Sequence, residues 1–227
     1  MNDLRDLILR WQRGWSVARA LRAAEDVDGG LRSHCGQPGR EVEYVALDAD
    51  QDPTSLTRLA ERVTGEHAVT WLTVPTTDPA TAASTLAVAG LTVLKDSELL
   101  MTIDLFGHPE TTPANAYRVV TQVDSRHGAS VITATARHES GEVGARGTMG
   151  LAGTDAIADR IETLPVHRRK GLASAIMSAL ARSAINEGAD RGILIASEAG
   201  QRLYTALGWK PVAQVLIATT PGNTYPS

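Results

Sequence analysis

Residues 163–173 read TLPVHRRKGLA and connect a strand-like run, residues 156–164, to a helix-like run, residues 172–186. Gly171 has no Cβ, so the backbone can approach a ligand closely at that point. The first N–H groups of a helix have no partner within the helix, and the helix dipole adds partial positive charge at the same end. Three consecutive residues add full positive charges just before the glycine: Arg168, Arg169 and Lys170. The stretch therefore predicts a basic turn that cradles a pyrophosphate.

The segments after this turn alternate between strand and helix. Residues 192–196 (GILIA) form an apolar run of the length expected for a strand that is covered on both faces. A helix-like segment with Tyr204 follows, then Gly208 and Trp209, and then a further strand over residues 212–218. The order after the turn is thus helix, buried strand, helix and strand.

The Arg168-x-x-Gly171-x-Ala173 pattern and this order of segments resemble the GNAT superfamily of acyl-CoA-dependent N-acyltransferases, over residues 143–218. The resemblance implies an α/β (mixed α+β) fold with a mixed, mostly antiparallel central sheet flanked by helices. It also implies acetyl-CoA, or another acyl-CoA, as the acyl donor. The residues that it assigns to this cofactor are Ile161, Glu162, Thr163, Arg168, Arg169, Lys170, Gly171, Leu172, Ala173 and Ser197. Ser197 occupies a place where the family often has an asparagine.

The resemblance further implies that the acceptor amine attacks the thioester directly. Tyr204 stands where many family members have a tyrosine that protonates the departing thiolate, and a phenol, whose pKa is ordinarily about 10, stays protonated at neutral pH. The alternative is a core tyrosine with its hydroxyl hydrogen-bonded. The general base is open between Asp159, Glu162 and a water molecule, and solvated strand carboxylates are an equal alternative. Alternation of side chains places these two on opposite faces of the strand unless a bulge intervenes.

The N-terminal half shows the same alternation of segments. Strands and helices are predicted in the order βαβαβ, with Gly90 after the second helix, over residues 42–47, 53–63, 68–74, 79–89 and 99–105. We therefore predict that this half is a degenerate, GNAT-like internal copy. It lacks the basic turn, and Leu86 stands where the C-terminal half has Tyr204. The alternative is that the alternation is common to any α/β chain.

The predicted organisation has four parts. An N-terminal helix is indicated by apolar residues at 4-3-4-3 spacing on one face: Leu4, Ile8, Trp11, Trp15 and Ala18. This helix and the GNAT-like half domain occupy residues 1–105, with a loop through Gly39 between them. A linker over 106–113, an acyltransferase domain over 114–220 and a tail over 221–227 follow.

The acyltransferase part departs from the family at its beginning. Four strands are predicted there, over residues 117–123, 130–137, 143–151 and 156–164. GNAT domains usually carry two helices between their first and second strands, which help to form the acceptor pocket, and residues 124–129 cannot hold them. Either the N-terminal half replaces these helices or the acceptor site is unusual. Glycine also recurs at every third position from Gly141 to Gly153, which predicts a shallow face where a ligand can lie.

Composition limits the classes of partner. The chain has 227 residues, of which 43% are hydrophobic and 21% charged, as is ordinary for a soluble globular protein. Residues 1–105 carry 10 Lys and Arg against 16 Asp and Glu, whereas residues 106–227 carry 12 against 10. The second half suits an anionic cofactor but is not basic enough to predict nucleic-acid binding. Cys35 is the single cysteine, and no cluster has metal-ligand spacing, so no metal is expected. No signal peptide or membrane span is recognised; we expect a cytoplasmic protein and leave a homodimer open.

Two functions fit these observations. The first is transfer of an acyl group to a primary amine of a small molecule or peptide, with Tyr204 as general acid. The alternative is a non-catalytic acyl-CoA-binding module with a regulatory or structural role. The complete basic turn and Tyr204 favour the enzyme, whereas the missing helix pair favours the module.

Overall fold

The computed structural model describes residues 4–126 and 129–225. Within these residues one mixed sheet of eleven strands is flanked by five α-helices. The helices are α1 (Leu4–Ala18), α2 (Pro53–Gly65), α3 (Pro79–Val88), α4 (Leu172–Asn186) and α5 (Glu198–Ala206). The strands are β1 (Glu25–Val27), β2 (Gly30–Gln37), β3 (Arg40–Ala46), β4 (Thr70–Thr76), β5 (Thr92–Asp104), β6 (Tyr117–Arg126), β7 (Ala129–His138), β8 (Val143–Ala152), β9 (Asp155–Thr163), β10 (Arg191–Ala196) and β11 (Lys210–Thr219).

The order of strands in the sheet is β1-β2-β3-β4-β11-β5-β10-β9-β8-β7-β6. Only the pairs β3–β4 and β9–β10 are parallel among the described strands. Two series of elements match one another, β3-α2-β4-α3-β5 and β9-α4-β10-α5-β11. In the sheet β11 lies beside β4, and β5 lies beside β10. The last strand of each series therefore pairs with a strand of the other series, and the sheet is continuous across the two halves.

The helices cover the two faces of the sheet unequally. Helices α2 and α3 pack over Tyr44, Leu72 and Leu216, and α4 and α5 pack over Met101 and Leu194, all on one face. On the opposite face, α1 packs alone on the residues that alternate with these. Its contacts there are Val45, Leu100, Ile157, Ile193 and Val215. The apolar face predicted for α1 is confirmed, because Ile8, Trp11 and Trp15 are buried.

At Gly147 and Gly150 of β8, helices fill the space on the side where a Cβ would lie, while Gly147 also borders a cavity of about 660 Å³. A Cβ at Gly147 would lie 2.8 Å from Ile176 of α4, and a Cβ at Gly150 would lie 2.2 Å from the carbonyl oxygen of Gly14 in α1. Both helices thus occupy the space that the glycines provide. Gly141 and Gly153 have positive φ angles of 91° and 63° and form turns. The three-residue recurrence therefore serves helix packing and turns.

Two further differences concern the N-terminal half. The region through Gly39, predicted as a loop, contains β1 and β2, because pairing with β3 orders a segment of low strand propensity (GLRSHCGQ). Strand β5 begins at Thr92, seven residues before its predicted start, and its first half pairs with β11 across two register shifts. The short connection between the first two strands of the acyltransferase part is confirmed, since β6 ends at Arg126 and β7 begins at Ala129. None of the described helices is long and apolar enough to cross a membrane.

Candidate active site

The predicted basic turn lies between β9 and α4. A short 3-10 helix, Pro165–His167, follows β9, and Gly171 is the N-cap residue of α4. Its φ of +70° is a conformation that favours glycine, and no atom lies within 4 Å of the place where a Cβ would be. The side chains of Arg168, Arg169 and Lys170 are exposed. The turn thus presents positive charge and free helical N–H groups to an open space, which fits a pyrophosphate.

The buried rings of Tyr117 and His167 pack against this turn. The Tyr117 hydroxyl lies 2.7 Å from Nδ1 of His167, and both residues are buried. Lys170 donates a hydrogen bond from Nζ to the same hydroxyl at 2.9 Å, and Arg168 donates from Nε to the Thr163 carbonyl oxygen at 3.3 Å. His167 therefore helps to fix the turn. Nothing in the sequence pattern pointed to Tyr117, because its contact depends on two segments 50 residues apart.

The two parallel strands beside this turn separate from each other. Strands β9 and β10 pair only at Asp155, Ala156 and Ile157 of β9. Beyond them β9 carries a bulge opposite Gly147, where Arg160 has a φ of +54°. The Ile161–Thr163 backbone is consequently not paired with β10 and borders a gap that leads towards the basic turn.

The same bulge decides the positions of the two candidate bases. Asp159 pairs with Thr148 and Glu162 pairs with Arg146, so both carboxylates lie on the face that α1 covers. Asp159 accepts two hydrogen bonds of 2.9 Å from Arg19, which follows α1. Glu162 accepts one of 2.8 Å from Nε of Arg146. Each carboxylate is therefore engaged in an ion pair, and proton transfer to either would compete with that pair.

A cavity of about 340 Å³ lies between α1 and the sheet, at the gap beside β9. Aromatic side chains form part of its lining, namely those of Trp11, Trp15, Trp71, Tyr204 and Tyr225. Charged residues form another part, namely Arg19, Arg40, Arg160, Glu43, Glu98 and Asp159. A larger cavity of about 780 Å³ lies between α1 and the β6–β7 hairpin and contains none of the predicted site residues. A third cavity, of about 660 Å³, contains Ile161 and Glu162 but neither Tyr204 nor Ser197. The smallest of the three is the one that brings Asp159, Ile161, Ser197 and Tyr204 together.

Tyr204 and Ser197 both reach this smaller cavity from α5 and its N-cap. Tyr204 is 8% exposed, and its ring meets Trp209 edge-on at 6.0 Å. Burial raises the pKa of its phenol to about 12, and the negative charge of Asp159 adds to the shift. Ser197 is exposed and makes no side-chain capping bond to α5. The position of Tyr204 agrees with that of a proton donor at the end of the gap.

The N-terminal series has no equivalent of the basic turn. Its α2 begins after an acidic loop, and the Asp52 carboxylate accepts a hydrogen bond from the Thr54 N–H at the N-terminus of that helix. A pyrophosphate would be repelled by this carboxylate and would find that N–H group occupied. Leu86, in the place that corresponds to Tyr204, is fully buried.

Sequence reasoning missed several cavity residues that come from the N-terminal half. Glu43 is fully buried and Glu98 is 9% exposed. Glu43 stands between Val42 and Tyr44, and a charged residue inside an apolar run is a usable signal, because burial of a charge is costly. Glu98 follows Lys95, Asp96 and Ser97 and carries no such signal. Arg40 and Trp71 carried no such signal, and they enter the site through the pairing of β3 with β4.

One segment of the sequence and the fold as a whole are similar to those of known proteins. Residues 109–209 match the model of the acetyltransferase (GNAT) family. A GCN5-related N-acetyltransferase from Kribbella flavida superposes with a TM-score of 0.70 at 16% identity, over 98% of this chain and 97% of that one. A tandem GNAT protein from the clavulanic acid biosynthesis pathway gives 0.60 at 13% identity, over 87% and 80%. A GCN5-related N-acetyltransferase from Sphaerobacter thermophilus gives 0.60 at 12% identity, over 84% and 76%. At these identities the similarity shows the fold. No curated protein sequence matches the chain significantly.

Proposed function

We propose that the protein transfers an acetyl group from acetyl-CoA to a primary amine of a small molecule or peptide, and that residues 109–209, which match the model of the acetyltransferase (GNAT) family, form its acetyltransferase domain. One observation carries the proposal. The basic turn is open, and the gap between β9 and β10 lies beside it. The same gap borders the cavity that is lined by the ring of Tyr204, which carries a hydroxyl. A thioester bound along that path would end beside Tyr204.

The residues present fit an acyl-CoA. Arg168, Arg169, Lys170 and the N–H groups at the start of α4 would hold the pyrophosphate, because they combine full and partial positive charge at an exposed turn. The backbone of residues 161–163 has an edge that β10 does not use, and an amide-containing arm can pair with it. Ser197 would donate or accept a hydrogen bond beside that arm. No step of this binding needs the N-terminal series.

In the proposed reaction the amine nitrogen attacks the thioester carbonyl carbon. Holding both reactants in one cavity supplies a large part of the acceleration. Tyr204 donates its proton to the departing thiolate. Its raised pKa keeps the phenol protonated throughout the physiological range, as this role requires.

The second candidate function is an acyl-CoA-binding module without turnover. Asp159 and Glu162, the two bases that the sequence suggests, are both held in ion pairs. If no other group removes the proton of the amine, binding without transfer is the expected behaviour. We propose the enzyme, because the cavity contains further carboxylates, those of Glu43 and Glu98, that could remove this proton.

The chain consists, in this proposal, of two similar parts. We propose that residues 1–105 and 114–220 are the two GNAT-like parts, connected by 106–113 and followed by a tail from 221. Their cavity is shared, since Glu43 and Trp71 come from the first part and Tyr204 from the second. We further propose a cytoplasmic protein that uses acyl-CoA without a metal ion.

The test uses the purified full chain with acetyl-CoA and a panel of primary amines. The enzyme is supported by release of free thiol that depends on one amine, together with an acetylated product identified by mass spectrometry. Saturable binding of acetyl-CoA by calorimetry without thiol release would support the module instead. Absence of both binding and release would refute the acyl-CoA site itself.

A further inference from the structure

The cavity between α1 and the sheet contains a carboxylate that the proposed reaction has not yet used. We propose that this cavity is the acceptor site, that it takes a small cationic amine, and that Glu98 of the N-terminal half binds the ammonium group and removes its proton. This inference rests on the proposed function and identifies its substrate class and general base.

Ion pairs hold two of the carboxylates that line the cavity, those of Asp159 and Glu43. Three carboxylates line the cavity. Asp159 is held by Arg19. Glu43 accepts hydrogen bonds from Nε of Arg40 at 2.5 Å and from the Thr73 hydroxyl at 2.6 Å.

Glu98 forms no ion pair with any described residue. Within the described part of the chain, its carboxylate accepts one hydrogen bond, from the Tyr225 hydroxyl at 3.4 Å. This long bond leaves Glu98 the most available of the three carboxylates for a ligand.

The surroundings of Glu98 suit a proton acceptor. Burial raises the pKa of its carboxyl group, and the hydrogen bond from Tyr225 and the charges of Arg40 and Lys95 oppose that shift. Glu43 is the negatively charged neighbour and raises the pKa further. A carboxylate with a raised pKa holds a proton more readily than an exposed one, as general base catalysis near neutral pH requires.

The aromatic lining favours a cation over an anion. Arg40 already lies over the rings of Trp15 and Trp71, with centroid distances of 5.3 and 4.8 Å. An ammonium group entering the cavity would meet the ring of Trp11, while Lys95 already lies over the Tyr225 ring at 4.9 Å. Because the guanidinium groups of Arg19 and Arg40 are matched by Asp159 and Glu43, they do not offer an unpaired positive charge to an anionic acceptor. Arg160 has a side chain that is 57% exposed, so its charge is screened by solvent.

The fold places Glu98 in the cavity that Tyr204 lines. Strand β5, which carries Glu98, lies between β10 and β11, and Glu98 pairs with Val215. Ile161 and Tyr204 line the same cavity from the side of the gap. The volume of about 340 Å³ is at the lower end of the range of roughly 300–1,000 Å³ for small-molecule sites, so a small amine fits better than a protein surface.

The proposed reaction forms one C–N bond, breaks one C–S bond and moves two protons from the nitrogen. Glu98 takes one proton from the ammonium group, and the neutral nitrogen forms a C–N bond to the thioester carbonyl carbon. The C–S bond breaks, and the thiolate takes the phenolic proton of Tyr204. Tyr204 recovers a proton from the second N–H lost by the nitrogen. Glu98 releases its proton to solvent, so the products are the amide, free CoA thiol and one proton.

The test compares Glu98→Gln with Asp96→Asn, a matched loss of charge two residues earlier on β5 at an exposed position. With the best amine of the panel, Glu98→Gln should lower kcat/KM by about 10²-fold or more, the usual size of acid–base catalysis. Wild-type kcat/KM should fall with decreasing pH as Glu98 becomes protonated, and this limb should be absent from Glu98→Gln. Asp96→Asn should behave as wild type, and both variants should keep wild-type acetyl-CoA affinity and melting temperature.

Binding of the same amine, followed by tryptophan fluorescence, separates this inference from the proposed function. Amine binding that weakens in Glu98→Gln, without turnover in any variant, supports the ammonium site and refutes the transfer reaction. Turnover that is equal in Glu98→Gln and wild type, with the same pH profile, overturns the role of Glu98 and leaves the transferase standing. Amine binding that Glu98→Gln leaves unchanged overturns the ammonium site.

Discussion

Tyr204 combines a donor group with an environment that keeps it protonated. Replacement by Phe removes one hydroxyl and leaves the contact with Trp209, so stability should change little. We expect kcat and kcat/KM to fall together by about 10²–10⁴-fold, because the proton is needed only in the transition state. Acetyl-CoA affinity, measured by calorimetry, should stay at the wild-type value. Since the pKa of Tyr204 is about 12, its ionisation should not lower wild-type kcat anywhere in the physiological pH range.

A matched control for this variant is Tyr44→Phe. Tyr44 is also buried, and its hydroxyl donates to Glu66 at 2.9 Å, away from the cavity. It should keep wild-type turnover with some loss of melting temperature. Wild-type turnover of Tyr204→Phe would instead mean that the tyrosine is a packing residue and that CoA departs as a free thiolate.

Gly171→Glu tests whether the basic turn binds the pyrophosphate of acetyl-CoA. Glu at this position would place bulk and negative charge in the space where the pyrophosphate should lie. Gly153→Glu is the control, because Gly153 also has a positive φ and open space around its Cβ position, so the backbone strain of about 1–2 kcal/mol is matched. We expect acetyl-CoA affinity to fall at least tenfold in Gly171→Glu only. Equal affinities in the two variants, both folded by circular dichroism, would remove the turn from the binding site.

At the scale of elements, the contact of α1 with β8 depends on the absence of side chains. A Cβ at Gly150 would lie 2.2 Å and 2.5 Å from backbone atoms of Gly14 and Ala18, which cannot rotate away. Gly150→Ala should therefore destabilise the protein by about 1–3 kcal/mol, as overpacking does. Because α1 carries Trp11 and Trp15 of the cavity, KM for the amine should rise while acetyl-CoA affinity is retained. Thermal melting and steady-state kinetics measure the two effects.

Gly107→Ala is the corresponding control, since nothing lies within 4 Å of its Cβ position and its φ is not positive. It should leave melting temperature and KM unchanged. A normal melting temperature for Gly150→Ala would show that α1 can shift on the sheet.

The elements also show how far sequence reasoning reaches. Helix α4 occupies the predicted residues 172–186, because its N-cap turn and its apolar pattern are both local signals. The side on which Asp159 and Glu162 lie was not predictable, since it depends on a bulge where a non-glycine residue, Arg160, adopts a positive φ. Glu98 was missed for another reason. Its environment is assembled from α1, β3, β5 and the segment after β11, which no local pattern connects.

At the scale of the whole molecule, the exchange of β5 and β11 makes the halves interdependent. A chain that begins near Thr111 lacks β5, so β10 and β11 lose the strand between them, and the cavity loses Glu43, Trp71 and Glu98. We expect this fragment to be insoluble or inactive, as judged by expression, circular dichroism and thiol release. A soluble fragment with full activity would contradict the shared cavity.

The intact chain cut between the halves provides the control for that experiment. Residues 109–110 are exposed and lie in the connecting segment, so a protease site can be placed there. After cleavage the two pieces should stay associated and elute together in gel filtration, because β5 and β11 still bind across the cut. Separation of the pieces at native conditions would show that the connection itself holds the molecule together.

The central place of β11 has a consequence for how the chain is made. A ribosome releases the N-terminal half first, yet the strand that fills the space between β4 and β5 is the last of the described strands to emerge. Until then, β4 and β5 each expose an unpaired edge, which is a template for pairing with another chain. Folding of this sheet should therefore finish only after β11 has emerged, and the high share of contacts between distant segments should make that step slow. During that interval the nascent protein should depend on chaperones more than a chain whose domains close one after the other.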